Sequence, residues 1–147
     1  PFIAKQDLIS LMSLIERASK PCFGTLIHRS TDPISFHNPN VVKTVINHRH
    51  EAIYFSRTPI PYSSQPHKTN FFFWQHMGIY AFHKKILEQF CNTPVSKLEQ
   101  QERLEQLRAI ESGMTILTAE AQSLSLGIDT QEDLETATER YLNHSQL

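Results

Sequence analysis

The sequence is short of glycine, of cysteine and of net charge, and each shortage removes a class of protein. Only four of its 147 residues are glycine, at Gly24, Gly78, Gly113 and Gly127, and all four are isolated. No glycine-rich loop is present to cradle a triphosphate on backbone amides. Cys22 and Cys91 stand far apart, without zinc or Cys-x-x-Cys spacing. Free thiols in a reducing compartment are therefore expected rather than a disulfide. A formal net charge of -1 argues against coating nucleic acid or an anionic membrane through bulk electrostatics. Long apolar runs are missing as well, the densest cluster being Phe71-Phe72-Phe73-Trp74, far short of a membrane span. A Gly-x-Ser-x-Gly nucleophile motif is lacking, and the first residues show no basic region followed by an apolar stretch.

What is there has ordinary globular composition, with 39% apolar and 20% charged residues and length enough for one compact core. Pro1 is not an initiator residue and a helical pattern starts almost at once, so the chain is expected to begin in mid-fold. Over residues 4–19 the spacing of Leu8, Leu11, Met12, Ile15 and Ala18 predicts an amphipathic helix ended by Pro21. Cys22 to Ile27 reads as a strand, and Asp32-Pro33 and Asn38-Pro39-Asn40 as turns. Val41, Val42, Val45 and Ile46, a polar turn at 47–50, and Ala52 to Phe55 form a hairpin signature. Pro59, Pro61 and Pro66 mark a loop reaching Asn70. Residues 73–82 read as a strand, 84–90 as a helix, and 97 to about 112 as a helix capped by Ser96 and stopped by Gly113. A strand at 114–119 follows, then a last helix with Leu134, Ala137, Thr138 and Tyr141 on one side. Strands and helices are mixed, so the class is α/β or α+β with a hairpin excursion.

Several residues are candidates for chemistry, each with a plainer reading. Asp129 stands between a strand end and a helix start, where it either caps the helix or ligates a hard cation such as Mg²⁺. Arg57 ends a strand and either holds a carboxylate or phosphate or lies on the surface. His76 and Tyr80 share a strand face, offering polar tips to a pocket or completing a half-buried wall. His48 and His50 flank a turn with no third ligand near in sequence, so a solvated turn is expected there rather than a metal site. Glu105 falls opposite the apolar arc of Leu104, Leu107 and Ile110, where a Glu105–Arg108 pair is the plainer role.

Five segments in order resemble the CMP-Kdo synthetases (3-deoxy-manno-octulosonate cytidylyltransferases). They are Asn38-Pro39-Asn40-Val41-Val42-Lys43; Tyr54-Phe55-Ser56-Arg57 with Pro59-Ile60-Pro61; His76-Met77-Gly78-Ile79-Tyr80; Leu98-Glu99 with Leu104-Glu105-Gln106-Leu107-Arg108; and Gly127 through Leu134. The resemblance implies an α/β nucleotide-diphospho-sugar transferase fold, Rossmann-like, here without its N-terminal nucleotide-binding part. Residues 1–147 would be the C-terminal part of one cytidylyltransferase domain, with a β excursion over about 20–80 for sugar binding and dimerisation. The implied activity is CMP transfer from CTP to Kdo with Mg²⁺, for lipopolysaccharide synthesis in the bacterial cytoplasm, in a homodimer. By the same resemblance Asp129 is the catalytic metal ligand, and Arg57, His76, Tyr80, Glu105 and Gln106 line the sugar pocket. One departure is Ser64, which stands where relatives carry an arginine that helps bind anionic ligands. Two other readings stay open: a cytidylyltransferase for another acid sugar, and a non-catalytic sugar-binding or dimerisation module.

Overall fold

The computed structural model describes residues 3–64, 71–124 and 131–144. Its elements are α1 (Lys5–Glu16), β1 (Phe23–Ser30), α2 (Pro33–His37), β2 (Lys43–Ile46), β3 (Ala52–Ser56), β4 (Phe73–Phe82), α3 (Lys84–Asn92), α4 (Lys97–Glu102), α5 (Gln106–Glu111), β5 (Ile116–Glu120) and α6 (Gln131–His144). The strands form a mixed sheet in the order β3-β2-β4-β1-β5, with β1 and β5 parallel and the other pairs antiparallel.

The alternation of side chains along β1 feeds two cores, one on each face of the sheet. Leu26 joins Leu11, Met77 and Ala121 beneath α1. Phe23 joins Phe55, Ile86, Leu104, Leu107 and Ile116 on the opposite face, under α3 to α5. Gly24 faces α1, and a Cβ there would come within 3.0 Å of Ile15 and 3.1 Å of Leu14, so the missing side chain lets the helix lie close on the sheet. Asp7, buried in the first turn of α1, accepts from the Gln122 amide at 2.9 Å and ties the helix to the end of β5.

Four sequence expectations need correction. The buried face of α1 is Asp7, Leu11 and Ile15; Leu8 and Met12 of the expected stripe are exposed. Asp32-Pro33 starts a helix rather than a turn, because Asp32 accepts from the Ile34 and Ser35 amides and Pro33 needs no amide partner at that position. In α6 only Ala137 of the expected face is buried, while Leu134, Thr138 and Tyr141 are exposed. The single helix expected over 97–112 is two short helices, α4 and α5, separated at Arg103. Ser96 does cap α4, in a reciprocal capping box with Glu99. Gly113 does end α5, at φ +77.

Candidate functional site

A cavity of about 530 Å³ opens on the α3–α5 face of the sheet. Its floor is Phe23, Tyr80 and Phe82 from β1 and β4, one wall is Leu87, Phe90 and Cys91 from α3, and the other is Arg103 through Gln106. Four consecutive residues cannot line one side of a regular helix, since each advances about 100°. They do so here because the helix is interrupted.

The interruption has an identifiable cause. In a continuous helix the Glu102 and Arg103 carbonyls would accept from the amides of residues 106 and 107. Here Arg57 takes both, with Nε donating to Glu102 O at 3.0 Å and Nη2 to Arg103 O at 3.4 Å. Its Nη1 donates to Pro39 O at 2.9 Å. The Glu102 carboxylate accepts from Ser56 Oγ at 2.7 Å, from the Arg57 amide at 3.0 Å and from the Tyr54 hydroxyl at 3.4 Å. Arg103 then adopts a left-handed conformation, φ 55, ψ 48, and the Leu104 amide closes back on Glu99 O at 3.3 Å. This is a glycine-type helix terminator occupied by an arginine.

Beneath this clamp lies Lys43, fully buried, whose ammonium donates to Asn38 O at 3.0 Å, to Val41 O at 2.7 Å and to Arg57 O. Burial pushes its pKa down to about 8, opposed in part by Glu102. On the far side of α4, Arg108 grips Glu99 through two bonds, Nη2–Oε1 at 2.6 Å and Nε–Oε2 at 2.8 Å, and lies 4.9 Å above the Phe90 ring. The expected partner of Arg108 was Glu105; the helix break gives it Glu99 instead and leaves Glu105 exposed at the cavity.

The floor owes its polar groups to an irregular pairing. Thr25 pairs with Tyr80 but Leu26 pairs with Met77, so Gly78 and Ile79 bulge out of β4. His76 and Tyr80 are four residues apart but only two ladder steps apart, and their rings meet at 5.6 Å. Thr25 supports the bulge through Oγ1, placed 3.1 Å from Met77 O and 2.8 Å from Ile79 O. Its single proton goes to a carbonyl, so the His76 ring donates Nε2–H to Thr25 Oγ1, at 3.0 Å. Burial lowers the His76 pKa to about 4 and keeps the ring neutral. Burial, aided by the Glu105 charge, raises that of Tyr80, which stays a protonated phenol.

The candidates therefore separate. Tyr80, Glu105 and Gln106 line the cavity. His76 backs Tyr80 from within the wall, packed against Phe55 at 4.8 Å between rings. Arg57 is outside the lining, with three donors spent on the clamp. Asp129 lies outside the described residues. The polar residues that sequence reasoning missed are Thr25, Lys43, Glu102 and Arg103. Their roles arise from partners distant in sequence, and no local pattern announces them. Gln106 is the most telling: the residue is 5% exposed, yet its side-chain amide nitrogen has no hydrogen-bond partner among the described residues.

A mixed α/β sheet whose polar groups converge on a largely apolar pocket is the architecture of a small-molecule-binding protein. Comparison with known proteins narrows the class. The cytidylyltransferase family model matches residues 1–116, and the chain belongs to that family. The 3-deoxy-manno-octulosonate cytidylyltransferase of Thermodesulfovibrio yellowstonii is 41% identical over 97% of this chain and 57% of its own length. That of Solibacter usitatus is 46% identical over 76% of this chain and 44% of its own. The solved structure of CMP:2-keto-3-deoxy-manno-octonic acid synthetase complexed with CTP aligns with a TM-score of 0.84 at 34% identity, covering 100% of this chain and 59% of that one. The chain thus spans about half the length of the relatives it matches, and its fold is part of the nucleotidyltransferase fold of that neighbour.

Proposed function

We propose that the protein to which this chain belongs transfers CMP from CTP to the acid sugar Kdo, releasing pyrophosphate, and that these residues form the sugar side of the site. The observation that carries the reading is the Gln106 amide: a buried donor, without a partner among the described residues, on a residue that lines a cavity of about 530 Å³, calls for an acceptor such as a ligand hydroxyl. Tyr80 adds a neutral phenol, able to donate or accept, and Glu105 a carboxylate acceptor. An anomeric hydroxyl held by such groups attacks the α-phosphorus of CTP and gives up its proton to water; a new O–P bond forms, the α-phosphorus bond to the bridging oxygen of the β-phosphate breaks, and pyrophosphate leaves. The names of the relatives support Kdo as acceptor, and the CTP in the solved neighbour supports the nucleotide.

The proposal includes Mg²⁺, a homodimer and a place in lipopolysaccharide precursor synthesis in the cytoplasm. The described residues do not make a metal site among themselves, since no three His, Cys, Asp or Glu side chains are grouped to hold an ion. Asp129 would be the carboxylate for Mg²⁺, which when bound neutralises phosphate charge. No described helix is long and apolar enough to cross a membrane.

The test is pyrophosphate release by the full-length protein from CTP, with Kdo, 8-amino-Kdo or sialic acid as acceptor. Kdo-dependent release is expected, nearly abolished by Asp129→Ala. Gln106→Ala should raise the KM for Kdo by roughly 10-fold and leave the KM for CTP unchanged. Release that prefers another acceptor sinks the choice of Kdo, and full activity in Asp129→Ala sinks its metal role.

A further inference from the structure

We infer that Arg103 is the residue that holds the carboxylate of the acid sugar, an inference that rests on the function proposed above. Among the described residues that line the cavity two are charged, Arg103 and Glu105. Tyr80 in the floor is neutral and His76 behind it is neutral. An anionic ligand entering this space meets the like charge of Glu105 and loses water, which is costly unless a cation faces it. Arg57 and Arg108 are also near, but neither lines the cavity: Arg57 spends donors from all three of its nitrogens on backbone carbonyls, and Arg108 is held by the Glu99 carboxylate. Lys43 is sealed beneath three carbonyls. Among the described residues the Arg103 guanidinium has no hydrogen-bond or ion-pair partner, and the residue is exposed at the cavity wall. Its planar fork matches a carboxylate.

The backbone gives a second, independent reason. Arg103 occupies a left-handed terminator, φ 55, where glycine carries no steric cost and an arginine does. Strain of this kind persists where the side chain is used. The same conformation turns residue 103 out of the run of α4 and onto the wall shared with Glu105 and Gln106, and Arg57 holds it there through Arg103 O at 3.4 Å.

The experiment is steady-state pyrophosphate release by the full-length protein at saturating CTP, with Kdo and its C1 carboxamide as alternative acceptors. Arg103→Met should raise the KM for Kdo roughly 10- to 100-fold, leave the KM for CTP unchanged and erase the preference for acid over amide. Arg103→Lys should restore part of that preference, because it returns the charge without the fork. Arg103→Gly, which relieves the backbone, should fold at least as well and still lose the preference. An unchanged KM for Kdo in Arg103→Met overturns the inference, and so does an equal loss on acid and amide. Wild-type protein that turns over no Kdo overturns the function and the inference together, whereas wild-type turnover with an indifferent Arg103→Met overturns the inference alone.

Discussion

His76 makes stability depend on pH in a way that can be worked out from its surroundings. Its neighbours are the Thr25 hydroxyl, the Phe55 ring and the Tyr80 ring, and Tyr80, the ionisable one, stays neutral. The ring already donates Nε2–H, so acid adds a proton at Nδ1 and places a charge among aromatic rings. Burial holds the pKa at about 4 in the folded protein, against the ordinary 6.5. Above the ordinary value both folded and unfolded rings are neutral and the His76 contribution is whole. As pH falls toward the folded value the unfolded chain binds a proton that the folded chain refuses, and stability declines; below it both are charged and the decline stops. Each pH unit in this window removes about 1.4 kcal/mol, so the loss is about 3 kcal/mol across it. The assay is urea unfolding of the full-length protein and of His76→Gln, from about pH 7.5 down to about pH 4. Carboxylates titrate in the same range in both proteins and cancel in the difference. The variant should gain on wild type by about 3 kcal/mol on going to acid. Curves that stay parallel would show that His76 is not held neutral, and the account of the cavity floor would fail.

The clamp and the α4–α5 junction give two further predictions. Glu102→Ala removes the acceptor of Ser56 Oγ, the Arg57 amide and the Tyr54 hydroxyl, and should cost about 2–4 kcal/mol in denaturant unfolding, with Glu102→Gln recovering part; an unshifted midpoint would mean the clamp does not hold the break. Arg108→Ala strips a two-bond partner from Glu99, 8% exposed, and should cost about 2–4 kcal/mol by the same measurement. Glu99 would also lose the main cause of its lowered pKa, so NMR titration of its carboxyl should report a clear rise; an unmoved value would refute the pairing.

Much of the architecture was legible locally. The strand at Phe73–Phe82 has the bounds its pattern predicted, the hairpin of β2 and β3 turns where the polar run lies, and Ser96 caps as its neighbours suggest. Side-chain alternation, turn residues and caps act over a few positions, and such rules survive in the folded chain. The family was legible too, since five short segments in order resembled one enzyme class and the family match covers residues 1–116. Helix faces were less legible. Leu8, Met12, Leu134 and Tyr141 follow helical spacing yet are exposed, because spacing names a stripe and packing selects which stripe is covered.

The site itself needed the whole chain. Nothing between Lys97 and Ser112 breaks a helix by propensity: no glycine, no proline, and Arg103 is an ordinary helix former. The break exists because Arg57, forty-six positions before Arg103, takes the carbonyls that a helix would have used. Likewise His76 and Tyr80 meet because Thr25, in another strand, supports a bulge. Local rules chose the elements, and hydrogen bonds between distant residues chose which side chains face the cavity. A competition for backbone partners is settled only when both competitors are in place.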